Sequence, residues 1–199
     1  MFKKMWGAFR EKYPSRFKAF LALSVFFLGC LIAAGVLMTA GAAGLAITNT
    51  EAFCTGCHEM RDNVFAEYKG TIHDTNRTGV RAICSDCHVP RAPMELIQRK
   101  MRASFEVWNH ILGELDTKEK FNAERPRLAQ KVWRRMKQTD SLECRNCHNS
   151  EKMNMDLQSD KAKARHAKAK ADGKTCIECH FGIAHKEPEG PGPADLKLD

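Results

Sequence analysis

Four copies of the pentapeptide Cys-x-x-Cys-His constrain this chain more than any other feature of its sequence. They use eight of the nine cysteines, and successive first cysteines lie 30, 60 and 32 residues apart. Two short spacings on either side of a long one indicate two related halves with two motifs each. The four motifs consist of Cys54, Cys57 and His58; Cys84, Cys87 and His88; Cys144, Cys147 and His148; and Cys176, Cys179 and His180.

A Cys-x-x-Cys-His motif is typical of covalent haem attachment. Its two thiols form thioethers with the haem vinyl groups, and the adjacent histidine reaches the iron as an axial ligand. Zinc sites, disulfides and redox dithiols also use paired cysteines, but none of them needs a histidine at the same offset in every copy. The sequence therefore predicts four covalently bound haem c groups. Aromatic residues make up only 8% of the chain and charged residues 28%, so the haems would supply much of the apolar interior.

The histidines outside the motifs are candidates for the second axial position of each haem iron. Eight histidines are present, four of them outside the motifs. Electron-transfer haems usually bind a second ligand, whereas an open position invites ligand chemistry. His73 and His166 lie at similar places in the two halves, and His185 follows the last motif closely, so these three are predicted ligands. His110 has no counterpart in the repeat, which favours a histidine on a helix surface.

Met60 follows the first motif histidine, His58, by two residues. Both side chains are close enough to compete for the first haem iron, and a methionine ligand would raise its potential. From the residues alone, a packing role for Met60 is the simpler interpretation.

A membrane anchor is predicted from Phe20 to Ile47, a run of 28 residues without an acidic or basic side chain. As a helix it would extend about 42 Å, more than the hydrocarbon core of a bilayer requires. A cleaved signal peptide is the alternative, but its apolar region is usually much shorter. Basic residues before the run predict a cytoplasmic N-terminus, a single span of the inner membrane and a periplasmic haem domain. These basic residues are Lys3, Lys4, Arg10, Lys12, Arg16 and Lys18.

The fold class is predicted to be mainly α. Apolar residues between the two halves recur at three- and four-residue steps from Met94 to Leu112, as on one face of an amphipathic helix. A second helical pattern runs from Phe121 to Met136, and Asp140 with Glu143 resembles a capping box before the third motif. No alternating strand pattern is convincing. The predicted parts are a basic cytoplasmic tail at 1–19, the anchor at 20–47, a small helical and loop-rich tetrahaem domain of two di-haem halves at 48–187, and a disordered Pro/Gly-rich tail at 188–199.

The sequence resembles the NapC/NirT family of membrane-anchored tetrahaem quinol dehydrogenases, and especially its members in periplasmic nitrate reduction. The resemblance covers roughly residues 50–188 and rests on the strings CTGCHEM, GVRAICSDCHVP, DSLECRNCH and TCIECHFGIAH. It implies oxidation of menaquinol or ubiquinol at the membrane surface. Electrons would then pass through the haems to a periplasmic reductase, for which nitrate reductase or its cytochrome subunit is the nearest partner. Nucleic acid is not an expected partner in this compartment.

The family resemblance also implies site residues. Lys100, or Arg99, and Glu106 match a basic residue and an acid that line the family's quinol site. The motif Cys-x-x-Cys-His-x-Met implies that Met60, in place of His58, ligates the first haem iron. His73, His166 and His185 match distal ligands.

One position departs from the family pattern. Many relatives carry a histidine where this chain has Arg91, which leaves the second ligand of one iron to be explained. That position could be open, filled by His110 or supplied by a partner protein.

Two other functions remain compatible with the sequence. One is an anchored electron relay without a quinol site, and the other is a haem enzyme that reduces a small substrate itself, which needs an open iron beside acid and base groups. The basic run from Lys161 to Lys174 could dock an acidic partner, although such a run is more often a solvated helix face.

Overall fold

The computed structural model describes Gly7, Glu11 and residues 13–198. The chain divides into two units, Met1–Thr48 and Asn49–Asp199. Several basic residues of the predicted cytoplasmic tail lie outside the described residues, namely Lys3, Lys4, Arg10 and Lys12.

The first unit contains one long helix, α1, at Pro14–Ile47. Its 34 residues would extend about 51 Å, and it ends at the last residue of the uncharged run. Pro14 suits the first turn, where its missing N–H is not needed. None of the α1 residues is buried, and mean hydropathy reaches 2.6. α1 is thus long and apolar enough to cross a membrane.

The second unit consists of helices and loops, and no strand occurs among the residues described. Two helices have about 20 residues, a third has 12 and the other elements are short turns, so the mainly α prediction is confirmed. In chain order the elements are α2 (Glu51–Cys54), a π-helical turn (Met60–Phe65), α3 (Ala66–Tyr68), α4 (Cys84–His88), α5 (Pro93–Ile111), α6 (Lys118–Gln138), α7 (Leu142–Arg145), a 3-10 turn (Met155–Leu157), α8 (Asp160–Ala171) and two further 3-10 turns (Cys176–Glu178 and Pro193–Asp195).

The capping box predicted before the third motif is wrong. Ser141, with no capping hydrogen bond from its side chain, precedes α7 in the left-handed region at φ 51°. Asp140 has the same φ and pairs with Arg145 at 2.8 Å. The carboxylate of Glu143 is used elsewhere, because it accepts a hydrogen bond from Arg135 at 2.6 Å. A tertiary ion pair has therefore taken the side chain that local capping would need.

Few apolar side chains form the protein's own core. The central cluster contains Trp133 and Met136 of α6 together with Ile177 of the fourth motif. Partly buried residues surround it, including Cys87 and Phe181. The core thus lies between α6 and the motifs, so that α6 serves as the scaffold on which they are mounted.

The C-terminal segment packs against this scaffold, in contrast to the disorder predicted for residues 188–199. Pro193 is fully buried, and Leu196 packs on the core cluster. Lys137 of α6 donates a hydrogen bond to the carbonyl oxygen of Leu196 at 2.8 Å. Composition indicated a flexible segment, but burial of these two residues favours a fixed one.

Candidate haem-binding sites

Each of the four motif histidines lies beside a second histidine. Imidazole–metal bonds are about 2 Å long, so two imidazoles on opposite sides of one iron place their ring centroids roughly 6 Å apart. All four observed separations fit this value, which makes the donor set suitable for four haem irons. The pairs are His58 with His110 at 6.1 Å, His73 with His148 at 6.2 Å, His88 with His185 at 6.1 Å and His166 with His180 at 5.9 Å.

His185 reaches His88 from the C-terminal segment and is held by residues far away in sequence. Its Nδ1 donates a hydrogen bond to the carbonyl oxygen of Val64 at 3.0 Å, which leaves Nε2 free to bind a metal. The next residue, Lys186, donates its backbone N–H to Glu67 at 3.0 Å. Arg125 of α6 fixes Glu67 in turn through two hydrogen bonds of 2.8 Å. This bidentate ion pair ties the His185 segment to α6.

His73 lies on the loop between the first two motifs, and Tyr68 organises that loop. The buried Tyr68 hydroxyl contacts the carbonyl oxygens of His73 and Ala82. The backbone N–H of Ala82 also donates to the His73 carbonyl at 3.0 Å. These bonds fix the backbone that carries the His73 ring beside His148.

His166 lies on α8, where its Nδ1 and the side-chain oxygen of Gln158 are 2.7 Å apart. As for His185, an acceptor at Nδ1 leaves Nε2 free for a metal.

Glu178 holds the fourth motif, which contains His180, in place. It accepts a hydrogen bond from the backbone N–H of Thr175 at 2.8 Å and pairs with Lys137 at 3.1 Å. Burial alone would raise the pKa of Glu178, but these bonds and that from Lys174 lower it to about 2. The carboxylate therefore stays ionised at neutral pH and fixes the motif to α6.

The first site differs from the others, and here the surface role predicted for His110 is wrong. The half-buried His110 has its Nδ1 2.5 Å from the buried carboxylate of Glu59. Burial favours a raised pKa for Glu59, whereas the hydrogen bond with His110 lowers it below the ordinary value. His58 Nε2 lies 2.9 Å from the carbonyl oxygen of Asp116. The distance between the His58 and His110 rings fits ligation of one iron, but Nε2 of His58 is occupied by this contact. The competing side chain, Met60, lies two residues further along the chain.

Cysteines of successive motifs lie close to one another in space. The thiols of Cys54 and Cys84 are hydrogen-bond partners, which lowers the pKa of Cys54 to about 7. Burial raises the pKa of Cys87 to about 11, with Cys144 of the third motif adding to the rise. Burial also raises the pKa of Cys144, and Cys176 of the fourth motif contributes. Successive attachment sites are therefore neighbours in space, in the same order as in the sequence. In keeping with this, α4 contacts both α2 and α7.

Two of the four histidine pairs join the two halves. His73 of the first half lies beside His148 of the second, and His185 of the second half lies beside His88 of the first. His73 and His166 occupy similar places in the two sequence halves, but their partners are not equivalent: His73 pairs with the other half and His166 with its own. Arg91 belongs to none of the pairs; it lines a cavity of about 280 Å³ and lies 3.6 Å from Asp86.

The three residues implied for the quinol site lie on α5 near the first motif. Arg99 pairs at 3.1 Å with Glu106, which lies about two helical turns further on. Lys100 and Arg99 lie close enough to Cys54 for their charges to act on its sulfur. Burial lowers the pKa of Lys100, and Arg99 acts in the same direction. A partly desolvated cation and a second cation thus lie near the first attachment site, and the second cation is paired with the Glu106 carboxylate.

Comparison with known proteins identifies the family. A sequence model described as "NapC/NirT cytochrome c family, N-terminal region" matches residues 16–190. The chain is 54% identical over 160 residues to "Denitrification system component NirT" of Stutzerimonas stutzeri, with 80% of each protein covered. It is 45% identical over 189 residues to "Cytochrome c-type protein NapC" of Escherichia coli K12, covering 95% of this chain and 92% of that protein.

A third relative is "Cytochrome c-type protein NapC" of Paracoccus pantotrophus, 48% identical over 179 residues, which are 89% of this chain and 76% of that protein. No solved structure gives a significant match. The family match spans the anchor helix and all four motifs. The chain therefore belongs to the NapC/NirT cytochrome c family and is a tetrahaem c-type cytochrome of electron transfer.

Proposed function

We propose that this protein oxidises membrane quinol and passes the electrons to a periplasmic reductase, with nitrate reductase or its cytochrome subunit as the partner. The observation that carries the proposal is the pair of cations Arg99 and Lys100 near the first haem-attachment cysteine, Cys54, with Glu106 ion-paired to Arg99. In this proposal α1 crosses the inner membrane with a cytoplasmic N-terminus, in keeping with the basic residues before it, and the haem domain is periplasmic.

The chemistry of quinol oxidation assigns a role to each of these residues. Quinol loses two protons and two electrons, and the haem irons supply the one-electron acceptors. Lys100 donates a hydrogen bond to one quinol oxygen and, as a cation, favours its deprotonation. Glu106 accepts the two departing protons one after the other, since its carboxylate is exposed and can pass each proton to water before the next leaves. Arg99 holds Glu106 in place through their ion pair.

The proposed ligands follow the histidine pairs. Three of the irons would be held by His88 with His185, by His148 with His73, and by His180 with His166. The first iron would be held by His110 and Met60, because Nε2 of His58 is engaged with Asp116.

Glu106→Gln is expected to slow quinol-driven haem reduction roughly a hundredfold, because the glutamine cannot accept the proton. Lys100→Met should also slow it, through loss of the cation. The measurement is the α-band absorbance after mixing the oxidised protein in detergent with a quinol analogue. Glu95→Gln, an exposed acid near the start of the same helix, is the matched control and should match wild type.

Three results would contradict this function. Failure of quinol to reduce the wild type, with dithionite still reducing all four haems, would leave an anchored relay. Equal rates in wild type and both variants would place quinol elsewhere. Steady turnover of a small substrate without a partner protein would favour a haem enzyme.

The partner is proposed to dock at α8, which carries the fourth distal histidine, His166. Five of its side chains are basic and one is acidic. Lys161 and Arg165 are exposed, lie one turn apart and form no ion pair with a described residue. A positive surface beside the last site in the series would steer an acidic electron acceptor to it.

Lys161→Glu with Arg165→Glu is expected to slow electron delivery to periplasmic nitrate reductase by roughly tenfold at low salt. The protein is first reduced with dithionite, so the quinol site is bypassed. Lys131→Glu with Arg134→Glu is the control, because these α6 residues are also exposed and their reversal changes net charge equally. Equal slowing by both double variants would indicate a net-charge effect, and no slowing by the first would exclude α8.

A further inference from the structure

The outward side of α5 carries a stripe of large apolar side chains. Seven residues at three- and four-residue steps form this apolar stripe, and each exposes between 42% and 73% of its surface. Soluble proteins rarely expose contiguous apolar patches larger than a few hundred Å². The apolar stripe consists of Met94, Ile97, Met101, Phe105, Trp108, Ile111 and Leu112.

The apolar stripe is distinct from the side of α5 that faces the rest of its domain. Arg99, Ala103 and His110 are half-buried, and His110 contacts Glu59 there. At 100° per residue, these three positions lie roughly opposite the centre of the apolar stripe. The stripe therefore contributes nothing to the interior of the domain, and its burial requires something from outside.

Lipid is the occupant that the rest of the chain makes available. Among the described residues, exposed large apolar side chains are concentrated in α1 and α5. Those of α1 expose between 53% and 72% of their surface from Phe20 to Met38, similar values to those of α5. Lipid covers such side chains in a helix that crosses a membrane. The domain begins directly after α1, so chain connectivity keeps α5 tethered to the same membrane.

The other residues of α5 suit the surface of a bilayer. Lys100 and Arg102 provide two cations at the sides of the stripe, and cations attract anionic lipid headgroups. Trp108 is a residue type that favours the boundary between headgroups and acyl chains. A polar face with Lys and Arg combined with an apolar face of Trp, Phe and Leu is typical of helices that lie in the membrane interface.

We propose that the apolar stripe of α5 is a lipid-binding surface that lies at the boundary between the headgroups and the acyl chains of the bilayer. A second copy of the chain or a soluble partner would also cover apolar side chains. However, a soluble reductase has to dissociate after electron transfer, which would expose the stripe again. Lipid covers it at all times.

This surface gives the quinol site a supply route, a consequence that rests on the function proposed above. Lys100 immediately precedes Met101 of the stripe and lies near Cys54. With the stripe at the boundary between headgroups and acyl chains, a quinol headgroup at the same depth reaches Lys100 while its tail stays among the acyl chains.

Photo-crosslinking to lipid tests the surface without using quinol. The full-length, haem-loaded protein is placed in nanodiscs that contain a phospholipid with a diazirine on its acyl chain. After irradiation, peptides of α5 are expected to carry lipid adducts, with α1 as the internal positive control. Phe105→Glu with Trp108→Glu should abolish the adducts on α5 and leave those on α1. Val80→Glu with Leu157→Glu is the matched control, because these side chains are 70% and 85% exposed elsewhere in the domain.

Several outcomes would overturn the proposal. Adducts confined to α1 in the wild type would show that lipid does not reach α5. Crosslinks from α5 to a second copy, with a dimeric mass, would assign the stripe to self-association. Equal loss of α5 adducts in both double variants would indicate a general disturbance of the domain.

The lipid surface can be tested separately from the quinol site. Adducts on α5 in a protein that quinol fails to reduce would support the lipid surface and refute only the quinol site.

Discussion

His185→Ala is expected to convert one of the four haems from the low-spin to the high-spin state. His185 is the only described residue paired with the motif histidine His88, and its Nδ1 bond to Val64 leaves Nε2 free for the iron. Alanine removes the nitrogen and offers no replacement. One low-spin ferric signal in the electron paramagnetic resonance spectrum should therefore disappear, a high-spin signal should appear, and the other three low-spin signals should remain.

Two further variants separate ligation from a structural role. His185→Met should restore the low-spin state and raise the potential of one haem, because a thioether ligand favours the reduced iron. Lys186→Ala should match wild type, since only the backbone of Lys186 bonds to Glu67 and Arg125. Four low-spin signals in His185→Ala would refute the assignment. Loss of all four signals would instead indicate a structural collapse of the domain.

Local patterns predicted the elements of this fold well. The uncharged run located the end of α1 at Ile47, and periodicity located α5 and α6. These predictions succeeded because helix formation depends on neighbours within one or two turns. The capping box failed because Glu143 pairs with Arg135 on a neighbouring helix, a contact that local sequence does not encode.

The pairing of histidines was beyond local patterns. His185 is fixed by Val64, which lies 121 residues away in sequence, and the partner of His73 lies in the other half of the domain. The repeat indicated equivalent positions, but tertiary contacts decide which ring meets which. No sequence pattern indicates the pairing of Arg125 with Glu67, because each is an ordinary charged residue until the fold brings them together.

His110 could have been placed from the sequence. The periodicity that defines the apolar stripe of α5 puts His110 on the opposite side of the helix, together with Arg99 and Ala103. Histidine on the side that faces a domain predicted to hold four haems is a ligand candidate. The missing repeat partner indicated a histidine on a helix surface, whereas the structure half-buries His110 against Glu59 and beside His58.

Met60→Leu is expected to make the first haem high-spin and to lower its reduction potential. Of the two side chains that compete for this position, His58 has its Nε2 2.9 Å from the carbonyl oxygen of Asp116. Ligation by that nitrogen would break the contact, whereas Met60 gives up no hydrogen bond. A methionine ligand raises haem potential, which would suit the first site as the electron acceptor from quinol.

Potentiometric titration followed by magnetic spectroscopy distinguishes the two ligands. His110→Ala should also give one high-spin haem, because Glu59 holds the His110 ring with Nε2 free. Met101→Leu, an exposed methionine of the apolar stripe, should change neither spin state nor potential. Four low-spin haems in Met60→Leu would assign the position to His58. The hydrogen bond to Asp116 would then have to give way when the haem is attached, and the ring distance of 6.1 Å between His58 and His110 would be the better guide to ligation.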